Sequence, residues 1–219
     1  SIHQKKVVKI AARSKGTPHS TTPPDVEVNA LSHFFNGGQY VDMEKLALAM
    51  TQDYPDYALG WQALGVALKQ MGRTADALLP MQKSTELTPD DAQAHGNLGV
   101  IFRDLGRISE AEACYHRAID LDPNFAKAHY NLGEALYGNE RFAESAASFQ
   151  QAINLKPDYA EGHYNLGKAL GSLGRTSEAE ASYRRAITFR PECVDAHINL
   201  GNVLKALGRH SEAEGSYRQ

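Results

Sequence analysis

The chain has 219 residues, 42% of them hydrophobic and 22% charged, a globular balance that excludes wholesale disorder. No run approaches the roughly 18 consecutive apolar residues of a membrane helix, and no apolar stretch of a secretory leader follows the N-terminal lysines, so no membrane partner is predicted. The net charge of −3 is uneven: residues 1–24 carry Lys5, Lys6, Lys9, Arg13 and Lys15 with no acid, which leaves residues 25–219 at −8. An acidic body lacks the clustered cations that phosphate binding needs, so no nucleic-acid partner is expected. Cys114 and Cys193 form neither a CxxC pair nor a disulfide framework and read as free thiols of a cytoplasmic protein.

In chain order, residues 1–24 form a basic extension broken by Pro18, Pro23 and Pro24. It reads either as a solvated linker or as a segment lying in a groove, its own or a neighbour's, drawn by the acidic body. Residues 25–57 read as a degenerate first repeat. Val26, Ala30 and Phe34 share one possible helical face, Gly37-Gly38 make a turn, and Val41 to Met50 form a second helix before Pro55.

From residue 58 a 34-residue period takes over. Leu-Gly recurs at Leu64-Gly65, Leu98-Gly99, Leu132-Gly133, Leu166-Gly167 and Leu200-Gly201, and proline at Pro55, Pro89, Pro123, Pro157 and Pro191. A second glycine keeps phase at Gly72, Gly106, Gly174 and Gly208, with Glu140 in its place in the third unit. Ala77, Ala111, Ser145, Ala179 and Ala213 are each followed four residues later by Met81, Tyr115, Phe149, Tyr183 and Tyr217. The units are 58–91, 92–125, 126–159, 160–193 and an incomplete 194–219.

One unit shows the physics. Between Ala92 and Leu105, His95, Leu98, Gly99 and Phe102 fall at i, i+3, i+4 and i+7, one face of a helix. Gly106 ends that helix, because glycine accepts the left-handed conformation of helix C-termini. Ser109 is the predicted N-cap of a second helix with Ala111, Tyr115 and Ala118 on one face. Pro123 stops it. Small residues at Gly99 and Ala111 let the two helices approach.

These residues resemble the tetratricopeptide repeat (TPR). Residues 58–91 supply its pattern as Trp61, Leu64, Gly65, Leu68, Ala77, Met81, Ser84 and Pro89, and later units put His95, His129, His163 and His197 where Trp61 stands. The resemblance implies an all-α, right-handed α-solenoid of about twelve helices, whose first helices line a concave, protein-binding groove. Because Gln219 falls inside the second helix of the last unit, the chain is expected to be a segment of a longer protein.

A helical wheel puts the sixth position of each unit on the exposed face of the first helix. Ala63, Asn97, Asn131, Asn165 and Asn199 occupy it. An amide offers both donor and acceptor to a peptide backbone, and helices about 10 Å apart match about three residues of extended chain. The alternative is polar surface inherited by repeat duplication. The strings His129-Tyr130-Asn131-Leu132-Gly133 and Asp195 to Lys205 further resemble the repeat arm of O-linked N-acetylglucosamine transferases. That resemblance implies an asparagine ladder of Asn97, Asn131, Asn165 and Asn199 holding acceptor polypeptides, and a glycosyltransferase as the full-length parent. Arg103, Lys127, Tyr130, Glu134, Glu161, Tyr164, Lys168, Asp195 and Lys205 flank the predicted groove. Tyr130 and Tyr164 either stack on a ligand or pack against the next repeat.

The function expected is therefore a peptide- or protein-binding module. The alternative is a scaffold that self-associates through its groove, its N-terminal extension or an uncovered C-terminal end. The four in-phase histidines stand about 10 Å apart, too far to share a zinc ion with ligands at about 2 Å, so they are assigned to packing. No nucleophile motif, phosphate loop or HExxH string is present, and neither catalysis nor a cofactor is expected of this segment.

Overall fold

The structure, a computed structural model, describes residues 22–219. Among them are twelve α-helices and no strand. The readings of the basic extension fall almost wholly on residues outside that range. The helices are α1 (Asp25–Asn36), α2 (Tyr40–Asp53), α3 (Ala58–Gln70), α4 (Thr74–Leu87), α5 (Ala92–Asp104), α6 (Ile108–Leu121), α7 (Ala126–Gly138), α8 (Phe142–Leu155), α9 (Ala160–Ser172), α10 (Thr176–Phe189), α11 (Val194–Ala206) and α12 (His210–Tyr217). First and second helices alternate on the 34-residue period. The chain divides into two compact units, Ser1–Leu105 and Gly106–Gln219.

In the N-terminal unit α1 packs on α2, α2 on α3, α3 on α4 and α4 on α5. Leu31, Phe34, Met43, Ala47 and Met50 form the core of its first pair. Val26, expected on the buried face of α1, is instead 56% exposed, and Leu31 takes the inward place. The three-residue spacing from Leu31 to Phe34 defines the stripe, and Val26 lies off it. In the C-terminal unit each helix from α6 to α11 packs on its successor, and α7 also touches α9.

The helix ends follow one rule. In the C-terminal unit Arg175 N–H reaches Leu170 O at 2.9 Å and Gly174 N–H reaches Gly171 O at 3.0 Å. This is a Schellman closure with Gly174 at φ +72°. Gly72 and Gly208 repeat it. At Glu140 the same closure is made, with Arg141 N–H to Leu136 O at 3.0 Å, by a non-glycine residue at φ +59°. The following helix begins on an arginine. Ser109, expected to cap α6, lies inside it, and Arg107 holds the N-cap position without a side-chain cap bond. Arg107, Arg141, Arg175 and Arg209 pair with Glu110, Glu144, Glu178 and Glu212 three residues on. The acidic first turn thus serves an ion pair as well as the helix dipole. Arg141 and Arg209 also reach back to Glu112 and Glu180, at 2.6 and 2.8 Å.

The Leu-Gly glycine is a landing site for an aromatic ring. A Cβ on Gly167 would lie 2.7 Å from Tyr183 Cε1, and one on Gly133 would lie 2.8 Å from Phe149 Cδ1. In the N-terminal unit Met81 lies equally close over Gly65. The close approach predicted for small residues is thus made by a side chain of the second helix lying on the bare backbone of the first. The in-phase histidines copy the tryptophan. Trp61 Nε1–H donates to Pro55 O at 2.7 Å, and His95, His129, His163 and His197 each set Nε2 2.8–3.2 Å from the carbonyl of Pro89, Pro123, Pro157 and Pro191. Each ring ties a first helix to the proline turn before it.

Candidate functional site

In a two-helix repeat the first helix is covered by its own second helix, by the preceding second helix and by neighbouring first helices. Little of its circumference stays open. Helix α9 buries Ala160, Gly162, His163, Leu166, Gly167, Ala169 and Leu170. The sixth position, expected on an open face, therefore lies in a seam. Asn131 is 4% exposed, Ala63 is 4% exposed, and Asn97, Asn165 and Asn199 are half-buried.

Two of these amides are anchored by tyrosines. Asn165 Nδ2 donates to Tyr130 Oη at 2.8 Å, and Asn199 Nδ2 donates to Tyr164 Oη at 3.2 Å. Tyr130 Oη–H in turn donates to Glu134 Oε1 at 3.0 Å. Asn165, Tyr130 and Glu134 thus form a directed chain of the kind whose members polarise one another. Asn165 keeps its Oδ1 and one N–H uncommitted. Asn131 and Asn97 have no tyrosine 35 residues before them in the sequence, where Gly96 and Gln62 stand. Asn97 Oδ1 instead accepts from Gln93 Nε2 at 2.9 Å within α5. The four amides are not one uniform ladder.

Tyr130 is buried, its ring 5.5 Å from Phe149 and 4.9 Å from Tyr159. Of the two roles left open, packing is the one its ring performs. Tyr164 is half-buried and lies 6.0 Å from Tyr183. Lys168 Nζ sits 4.6 Å from the ring centre of Tyr137 and 5.7 Å from that of Tyr164, while Lys127 Nζ sits 4.9 Å from that of Tyr130. Lys205 is exposed on α11. Arg103 lies in the N-terminal unit.

Two adjoining hollows open on this part of the C-terminal unit. The smaller, about 260 Å³, is bounded by Tyr130 of α7, by Ala160, Glu161, Tyr164 and Asn165 of α9, by Ala186 and Arg190, and by Cys193 and Asp195 at the start of α11. The larger, about 650 Å³, lies among Phe125, Lys127, Lys156, Tyr159 and Phe189. Glu161 and Arg190 line both and are ion-paired with each other, so the pair forms their shared wall. Burial pushes the Glu161 carboxyl up, but its hydrogen bonds and Arg190 outweigh this and hold it below the usual range. Burial raises the Tyr130 phenol strongly, with Glu134 and Glu161 adding to it. Burial and then Asp195 raise Tyr164. Both phenols therefore stay protonated as hydrogen-bonding groups.

Sequence reasoning placed Tyr130, Glu161, Tyr164, Asn165 and Asp195 near one groove, and the structure brings them around one hollow. It missed Tyr159 and Arg190. A spacing of 29 residues was the available signal, because Glu44–Arg73, Glu112–Arg141, Glu161–Arg190 and Glu180–Arg209 all pair at that interval. Among the described residues no three His, Cys, Asp or Glu side chains gather as a metal site, and no helix is long and apolar enough to cross a membrane.

Helix pairs on a 34-residue period, glycine landing sites and proline turns define a repeat of the tetratricopeptide class. Family models agree. One described as the TPR repeat matches residues 99–140 and 135–174, and one described as the tetratricopeptide repeat matches residues 63–113 and 164–219. The chain belongs to the tetratricopeptide repeat family, a class of protein-interaction modules. Among solved structures it is similar to MamA, at 24% identity over 71% of this chain and 91% of that one, with a TM-score of 0.66. It is also similar to PilF of Pseudomonas aeruginosa, at 23% identity over 74% of this chain and 73% of that one, with a TM-score of 0.68. A third is YrrB, described as a TPR protein with an unusual peptide-binding site, at 19% identity over 78% and 88%, with a TM-score of 0.64. At these identities the likeness bears on the fold alone. No curated protein matches the chain.

Proposed function

We propose that the chain binds extended segments of other proteins on the first-helix face of its C-terminal unit, with the hollow between α7, α9 and α11 as the centre of the site. The observation that carries this reading is the fixed amide of Asn165 at the wall of that hollow. Tyr130 holds one N–H, and the remaining N–H and Oδ1 are left to meet a peptide C=O and N–H. Asn199, fixed in the same way by Tyr164, supplies a second such amide one repeat further on. Lys168 and Lys205 complete the proposed contact set at its edges. That YrrB is described as peptide-binding supports the class of ligand. The assignment to a glycosyltransferase arm rests on the two sequence strings alone, and the reading frame beyond Gln219 tests it.

Selection of displayed 12-residue peptides against the chain tests the binding reading. Enriched peptides should lose at least tenfold in affinity for the Asn165→Ala, Asn199→Ala double variant while its helical circular dichroism stays unchanged. Equal affinity for both proteins would refute it. The alternative is the scaffold reading, in which copies of the chain associate with one another. Sedimentation that shows mass rising with concentration in the absence of peptide would decide for it.

A further inference from the structure

The smaller hollow has a chemistry of its own. At about 260 Å³ it falls below the roughly 300–1,000 Å³ of small-molecule pockets, which sizes it for one side chain. Its charged walls are Glu161, Arg190 and Asp195. Glu161 and Arg190 neutralise each other, whereas Asp195 has no ionic or hydrogen-bonding partner among the described residues, so the hollow carries one uncompensated negative charge. The phenol rings of Tyr130 and Tyr164 supply aromatic walls, and ring faces attract cations. The chain's own lysines show that attraction, with Lys127 over Tyr130 and Lys168 over Tyr137 and Tyr164, yet neither lines the hollow.

We infer that this hollow is a specificity pocket for a lysine or arginine side chain of the bound polypeptide, seated beside Tyr164 and paired with Asp195. The inference rests on the peptide-binding reading and adds to it the class of residue selected. An arginine fits the combination best: its planar guanidinium stacks on a ring while its N–H edge meets the carboxylate. An acidic side chain would meet Asp195 with like charge and is excluded.

The same peptide selection, read by position, tests it. Enriched sequences should share one fixed Lys or Arg. A representative peptide should lose about fivefold in affinity when that residue becomes norleucine, and about fivefold for the Asp195→Asn protein, as expected for one partly exposed ion pair. The two losses should not add, since each removes the same interaction. Peptides that enrich with no shared basic residue, or that bind wild type and Asp195→Asn equally, overturn the pocket assignment and leave the peptide-binding function standing. No enrichment of any sequence overturns both.

Discussion

Glu140 provides a direct test of how the repeats are closed. In four other closures glycine occupies this place: Gly38, Gly72, Gly174 and Gly208, with φ between +65° and +78°. Glu140 does the same at +59° with a Cβ, which costs about 1–2 kcal/mol in left-handed backbone. Its side chain is exposed and enters no ion pair among the described residues, so removing it sacrifices no contact there. Replacement by glycine relieves the strain but loosens the unfolded chain, which returns about 0.4–1 kcal/mol. The net for Glu140→Gly is a stabilisation of about 0.5–1 kcal/mol, or about 1–4 °C in melting temperature for a chain of this size. Urea unfolding followed by far-ultraviolet circular dichroism should show a higher midpoint at unchanged slope. Gly174→Ala, in an identical closure of the same unit, should move the midpoint the other way by about 1 kcal/mol. A neutral or destabilising Glu140→Gly alongside a harmless Gly174→Ala would show that the closure does not demand glycine, and the reasoning would fail.

Three further outcomes are expected. Gly167→Ala places a methyl 2.7 Å from the Tyr183 ring and should cost about 1–3 kcal/mol; Gly171→Ala, with nothing within 4 Å of the added carbon, should gain about 0.5–1 kcal/mol, both read by the same urea titration. Burial depresses the His163 imidazole below its ordinary 6.5, so the folded state binds its proton less readily than the unfolded state. Its contribution is therefore complete above pH 6.5 and lost as pH falls through the lower folded value. His163→Gln should flatten the acid limb of stability against pH, and an unchanged limb would refute this role. Burial, aided by Glu110, pushes the Cys114 thiol up to about 11, so in the native protein iodoacetamide at pH 8 should label it far more slowly than in urea, as peptide mass spectrometry can measure.

The fold was legible because the features that build it are local and repeated. Leu-Gly, the second glycine and the proline each act within one helix pair, and 34-residue repetition multiplies a weak local signal into a firm one. Even the exception was visible, since Glu140 stands where glycine was due and adopts the glycine conformation. The first pair was harder to read. With few in-phase markers before residue 58, Val26 was taken for the stripe that Leu31 and Phe34 form. Ser109 looked like a cap because serine often is one, but the helix is capped two residues earlier, where Arg107 holds the position and pairs with Glu110.

The site was less legible, for a physical reason. A helical wheel describes one helix in isolation, whereas a first helix inside a stack has neighbours on most sides. Periodicity therefore found the asparagine position correctly as a column and misjudged its environment. The column is a seam where Asn165 and Asn199 each meet a tyrosine 35 residues earlier. That spacing was present in the sequence as the dipeptides Tyr130-Asn131 and Tyr164-Asn165 followed by Ile198-Asn199. It shows why the anchoring is confined to two rungs. Within the C-terminal unit only Tyr130 and Tyr164 stand 35 residues before an asparagine of the column. Were the amides there only to grip a peptide backbone, the residue before each would be unconstrained. The tyrosines hold the Asn165 and Asn199 amides in fixed orientations, which is what the proposed backbone contact requires of them.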